Sequence, residues 1–193
     1  KGLSPERHFV HLTRAGGEQF AAEFTRLNPQ QLVPVLIDGG EAVSQSLAIL
    51  EYLDETHPEP PLLPKTPLDR ARVRALALGI ACDLHPIDNL RVLFYLRDAM
   101  GQSEEARNTW YRHWVAKGLT AMEAGLASDT RTGAFCHGDA PGLADICLVP
   151  QIFNAKRFDC PLEAYPTVMR VFGNCMAHPA FDAAQPSKQP DAE

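Results

Sequence analysis

The stretch LNPQQLVPVLIDGGEAVSQSLAILEYL, Leu27 to Leu53, decides the architecture. Val33-Pro34 leads into the apolar run Val35-Leu36-Ile37. A proline has no amide for a sheet ladder, so it belongs at an edge, at a strand's first residue or in a special turn. Asp38-Gly39-Gly40 is a tight-turn signal, and it predicts a hairpin between strands 35–37 and 41–43. From Ser46 the pattern Leu47, Leu50, Tyr52-Leu53 turns helical. On local grounds Pro34 suits a trans residue opening an edge strand. Ser46 suits either an ordinary N-cap or part of an anion seat at a positive helix end.

Upstream, residues 7–12 read as a strand, and Gly16-Gly17 leads into EQFAAEFTRL, where Phe20, Phe24 and Leu27 recur at helical spacing. Downstream, prolines crowd THPEPPLLPKTP, residues 56–67, and mark a boundary between domains of residues 1–60 and 67–193. Beyond it every periodic segment is helical. Val73, Leu76, Ile80, Leu84, Ile87, Leu90 and Phe94 form one stripe of a long helix bent at Pro86. Trp110, Trp114, Gly118, Met122 and Leu126 form a second stripe, and Gly118 leaves room for a close neighbour. A third helix, about 142–158, contains Pro150 and opens on a capping-box pattern with Gly142 at the cap and Asp145 three residues on. The tail QPSKQPDAE reads as frayed.

At 193 residues and 45% hydrophobic the chain can bury a substantial core. Its 24 acidic against 18 basic residues leave a net charge of −6, with no basic run to overcome repulsion from a phosphate backbone, so nucleic acid is set aside. Apolar runs are too short to span a bilayer and KGLSPERHF carries no signal region, so the reading is a cytoplasmic protein with no membrane partner. Five scattered cysteines without a C-x-x-C predict reduced, mostly buried thiols and neither a disulfide framework nor a zinc site. His8 and His11, three apart in the expected strand, point to opposite faces, and no metal is expected.

Four motifs, NPQQLVPVL, QSLAILEYL, CDLHPIDNLRVL and ADICLVPQIFNAKRF, together resemble the zeta-class glutathione transferases, which include maleylacetoacetate and maleylpyruvate isomerases. The likeness covers essentially the whole chain. It implies an α/β thioredoxin-like N-terminal domain followed by an all-α helical-bundle C-terminal domain, the first strand and helix of the α/β domain and their thiol-activating serine/cysteine motif being expected before Lys1. Ser4, beside Pro5, reads as a loop serine and not as a substitute. In the family the proline matching Pro34 is cis and Val33 pairs, strand fashion, with the cysteinyl backbone of glutathione. Gln45 and Ser46 would hold the glutamyl carboxylate, and Gln19 would lie near the glycine end, although a solvent-facing glutamine is its default reading. His85 and Asn89 become glutathione or substrate contacts. Arg91 and Arg157 are the expected catalytic residues, gripping substrate carboxylates with paired guanidinium bonds.

The implied activity is glutathione-dependent cis-trans isomerisation of maleylacetoacetate to fumarylacetoacetate, with maleylpyruvate as the alternative substrate. A general or haloacid-processing glutathione transferase and a non-enzymatic binding module remain competing readings. The resemblance also implies a homodimer.

Overall fold

The computed structural model describes residues 1–192, which divide into two compact units, Lys1–Leu62 with the last residues from Pro190, and Leu63–Gln189. In the first unit a six-residue helix α1 (Ala22–Leu27) precedes an antiparallel hairpin, β1 (Val35–Asp38) and β2 (Glu41–Ser44), and helix α2 (Ser46–Thr56) follows. Register runs from Val35 opposite Ser44 to Asp38 opposite Glu41. The two turn residues, Gly39 and Gly40, have φ of 58° and 90°, the left-handed geometry that matches strand twist and that only glycine adopts without cost. Tyr52 of α2 donates to Asp38 Oδ2 at 2.7 Å, tying the helix to the hairpin end. Lys1 Nζ closes the unit by donating to Asp54 Oδ1 at 2.6 Å and to the carbonyls of His57 and Pro60.

Residues 7–12, expected as a strand, form none. A strand exists only through a partner that takes its amides and carbonyls, and among the described residues β1 and β2 pair only with each other. His8 and His11 consequently do not face each other across a pleat. His8 lies 3.3 Å from Glu6, whereas His11 Nδ1 accepts the Arg14 amide at 2.8 Å and stabilises the turn there. The expected helix through Phe20 is also interrupted, since Glu18–Phe20 forms a separate 3₁₀ turn and Ala21 is extended before α1.

The second unit is all helical: α3 (Pro67–Leu78), a π turn (Gly79–Leu84), α4 (His85–Asp88), α5 (Leu90–Asp98), α6 (Glu104–Ala127), α7 (Leu143–Arg157), α8 (Pro166–Ala177) and α9 (Pro179–Ala183). Val73, Ala77, Ile80 and Leu84 are buried up to the π turn, and Leu93 and Leu96 after it. Of the expected stripe, Leu76 is only half-buried, and beyond Leu84 so are Ile87, Leu90 and Phe94, because one wide turn rotates every later residue relative to a regular helix. On α6 the buried line is Tyr111, Val115, Leu119, Met122 and Leu126, one residue round from the Trp110–Trp114 line, and both tryptophans are only half-buried. Gly118 does permit a close approach. A Cβ there would lie 2.7 Å from Leu84 Cδ2.

Asp145, almost wholly buried, binds three parts of this unit. It accepts the amides of Cys136 at 2.8 Å and Gly142 at 2.9 Å, and the Cys175 thiol lies 3.9 Å away. The capping box is thus made by Asp145 alone, glycine having no side chain to return the bond. Pro186–Lys188 forms a 3₁₀ turn and Lys188 Nζ donates to Asp182 at 2.6 Å, so this part of the expected frayed tail is held. Among the described residues no helix is long and apolar enough to cross a membrane.

Candidate functional site

The first unit offers an anion seat and an open backbone edge. The Val33-Pro34 bond is cis, and pairing in the hairpin begins only at Val35, so Val33 takes no part in the ladder. Its side chain is exposed, and among the described residues its amide and carbonyl have no hydrogen-bond partner. Gln45 stands at φ 72° and ψ 119°, a backbone conformation that a non-glycine residue adopts only where its surroundings demand it. It precedes the first turn of α2 without capping it. Its carbonyl accepts the Ile49 amide at 3.0 Å, while its side-chain nitrogen donates to Gln30 Oε1 at 2.8 Å. Ser46 is therefore the first helical residue and not the N-cap, and it is exposed. The first amides of an eleven-residue helix with no side-chain cap, at the positive end of its dipole, fit a carboxylate.

Gln19 is not the solvent-facing residue that local reading suggests. It is only 7% exposed, its Nε2 donates to the Leu12 carbonyl at 3.3 Å, and its Oε1 is buried without a partner. A buried acceptor left unpaired is unusual enough to mark a position that a donor could complete.

In the second unit the structure brings together His85, Asn89 and Arg91 around the break between α4 and α5. The backbone breaks at Asn89 (φ −66°, ψ 151°) and not at Pro86, which sits in the first turn of α4 where its missing amide is harmless. Asn89 Oδ1 caps α5 by accepting the Arg91 amide at 3.1 Å. Its Nδ2 then must face His85 Nε2, 3.3 Å away, and that nitrogen can only accept. That contact suits the neutral imidazole with its proton on Nδ1. Desolvation first, and the Arg91 charge second, push its pKa below the ordinary value, in agreement with that tautomer. The Arg91 side chain itself is exposed.

Arg157 ends α7, where a cation complements the helix dipole, and its side chain is exposed. The helix end is held in place by α6. Arg112 Nε donates to the Phe158 carbonyl at 2.9 Å, and the Tyr111 ring stacks on Phe158 with centroids 3.8 Å apart. Arg157 and Asp88 both act electrostatically on the Tyr111 hydroxyl, so the α7 end and the α4–α5 break flank the same buried tyrosine.

Sequence reasoning missed Asp88, Tyr111 and Gln151. Asp88 reads as one more solvated polar residue of CDLHPIDNLRVL, yet it is buried. The only available signal is its place one residue before a helix break.

Four thiols are poor nucleophiles at neutral pH. Burial pushes Cys147 and Cys160 to about 11 and Cys175 to about 12, and Cys136 higher still. Among the described residues no group of three His, Cys, Asp or Glu side chains is arranged to hold a metal ion.

Residues 2–55 match the family model for the glutathione S-transferase N-terminal domain. Over 192 residues the chain is 51% identical to the probable maleylacetoacetate isomerase of Vibrio cholerae, covering all of this chain and 88% of that protein. Among solved structures, holo maleyl pyruvate isomerase, a bacterial zeta-class glutathione S-transferase, superposes with a TM-score of 0.89 at 46% identity, covering 91% of this chain and 83% of that one. The maleylacetoacetate isomerase of Methylobacterium extorquens, solved with malonate and glutathione bound, superposes with a TM-score of 0.87 at 40% identity, covering 91% and 82%.

Proposed function

The chain belongs to the zeta-class glutathione transferases, and from that premise we propose that it is a glutathione-dependent cis-trans isomerase of the maleylacetoacetate type. Maleylpyruvate is the alternative substrate, since the two differ in the keto tail and share the maleyl end that the arginines would grip. The single observation that carries the reading is the pairing of the open Val33 edge with the uncapped start of α2 beyond a strained Gln45, an arrangement suited to an extended peptide ending in a carboxylate.

In this reading residues 1–60 are the glutathione-binding domain and residues 67–193 the helical domain that meets the substrate. Val33, beside cis-Pro34, pairs with the cysteinyl backbone, Gln45 and Ser46 hold the glutamyl carboxylate, and Gln19 lies toward the glycine end. Glutathione supplies the thiolate whose reversible addition turns the maleyl double bond into a rotatable single bond. Arg91 and Arg157 hold the dicarboxylate and oppose the negative charge that the addition pushes toward the carbonyl oxygen, in the manner of an oxyanion hole. His85 is kept neutral, so it orients by hydrogen bonding and adds no charge of its own. With a net charge of −6 overall, cations must be concentrated at the site for a dianion to bind. The protein is read as a cytoplasmic homodimer.

The test is to mix the full-length protein with reduced glutathione and maleylacetoacetate and follow formation of the fumaryl product. Isomerisation that needs glutathione is the expected result. Chloride release from a haloacid without fumaryl product would replace the reading by a general transferase. Arg157→Ala should raise KM or lower kcat by about 10- to 100-fold while the fold survives, the loss of a bidentate charged contact costing roughly 1.5–3 kcal/mol. Unchanged kinetics in that variant would remove Arg157 from the site.

A further inference from the structure

Beneath the α4–α5 break lies a carboxyl group that the isomerase reading does not use. Asp88 is 5% exposed, and both of its side-chain oxygens are buried without a hydrogen-bond partner. On α7, Gln151 is likewise buried. The hydroxyl of Tyr111 on α6 responds to both, to Gln151 through a side-chain hydrogen bond and to Asp88 through its charge. An ionised carboxylate so placed would normally take two or three donors, and an orphaned charge in a packed interior is strongly disfavoured. A neutral carboxylic acid, with its own donor, suits the place far better.

The groups around Asp88 support this. Tyr111 on α6 and Cys160 just beyond α7 both respond to Asp88, whereas Arg157, Arg112 and Asp159 act on those two groups and not on Asp88. His85, on the same short helix, is neutral, and Arg91 on α5 acts on His85. Cys82 and Asp83 of the π turn are exposed. None of the cations is bonded to Asp88, and burial alone pushes its carboxyl up to about 7. Trp110 Nε1 donates to the Ile87 carbonyl at 2.9 Å, so the backbone beside Asp88 is held against α6 and the side chain cannot easily swing out to water.

We propose that Asp88 is a positioning residue that works only uncharged: as a neutral, buried acid it seats the α4–α5 break from which Asn89 and Arg91 project. Ionised, the same group would be an uncompensated negative charge in low-dielectric surroundings, and the break that carries Arg91 would have to shift to give it water or a donor. Binding of a dianion weakens accordingly. The inference rests on the isomerase reading, because it assigns the arginines to a dicarboxylate.

The experiment measures KM for the maleyl substrate at saturating glutathione across pH, in the full-length wild type and in Asp88→Asn, and titrates the protonated-carboxyl infrared band of both. The wild-type KM should rise about three- to tenfold between about pH 6 and about pH 8, as the arginine carried by the break loses its placing. Asp88→Asn, isosteric and always neutral, should hold its KM level and lack the infrared band. If the asparagine variant fails to fold, Asp88→Glu serves instead, its expected result being a shifted band. A wild type with no such band at about pH 6, or KM values that change in parallel in wild type and variant, overturns the proposal. Absence of any glutathione-dependent turnover in the wild type overturns the isomerase reading instead, with the infrared titration still reporting the state of Asp88.

Discussion

Asp88 also makes a prediction about stability, with a definite sign. Its folded-state pKa of about 7 lies above the ordinary carboxylate value, so the fold prefers the protonated form. The stability this contributes is fully present below about pH 4 and is lost as pH climbs to about 7, beyond which the folded protein carries a buried charge that the unfolded chain solvates. Asp88→Asn should flatten that segment of the stability profile and exceed the wild type at about pH 8, by at most about 4 kcal/mol. Denaturant unfolding at several pH values checks this, and parallel profiles would place Asp88 in an ordinary solvated state. Single residues were also where the sequence was least legible. Gln19 and Asp88 are polar letters in amphipathic segments, and nothing local distinguishes one that faces water from one that is enclosed, because enclosure is created by α6 and α7 from far along the chain. Arg91 and Arg157 are singled out only as parts of motifs, their own positions being those of common exposed arginines.

At the level of elements, turn chemistry was the most legible feature. Asp38-Gly39-Gly40 implied the hairpin, and the proline before it marked where pairing begins, because these residues act through their own backbone. The strand at residues 7–12 failed for the opposite reason, its existence depending on a neighbour. The stripe through Leu90 and Phe94 failed because a π turn leaves no composition signature of its own. Its placement is instead explained from across the bundle, where Gly118 lets Leu84 approach α6. Gly118→Val should therefore cost about 1–3 kcal/mol through overpacking against a leucine that is itself buried. It should also disturb His85, the residue after Leu84. Thermal unfolding together with the KM of the variant tests both halves, and an unchanged melting temperature would show that Leu84 repacks freely.

For the molecule as a whole, the two units differ in how they are held. Among the described residues the buried apolar side chains lie almost entirely in the second, with Ile49 of α2 the one in the first. The first unit relies more on backbone pairing, the Tyr52–Asp38 bond and the Lys1 bonds. A ligand that fills its open edge and helix start should stabilise it by mass action, about 2.7 kcal/mol at one hundred times Kd. Hydrogen exchange should show reduced glutathione slowing amides of residues 33–49 more than those of α6. Uniform slowing, or none, would argue against glutathione binding at Val33 and Ser46. The proline cluster of residues 56–67 was legible as a compositional break, and the boundary after Leu62 falls within it. The division of the core between the units was not, since apolar periodicity does not say how many neighbours a stripe will find.

The π turn between α3 and α4 has one more consequence. Each residue of a regular helix advances the chain by about 100°, so a segment with one residue too many acts as an angular offset for everything after it. His85, Asn89 and Arg91 owe their heading to that offset, and losing a single residue between Gly79 and Leu84 would swing all three away together while leaving each intact. Length in that segment, and not only the identity of its residues, is thus part of what aims the polar cluster.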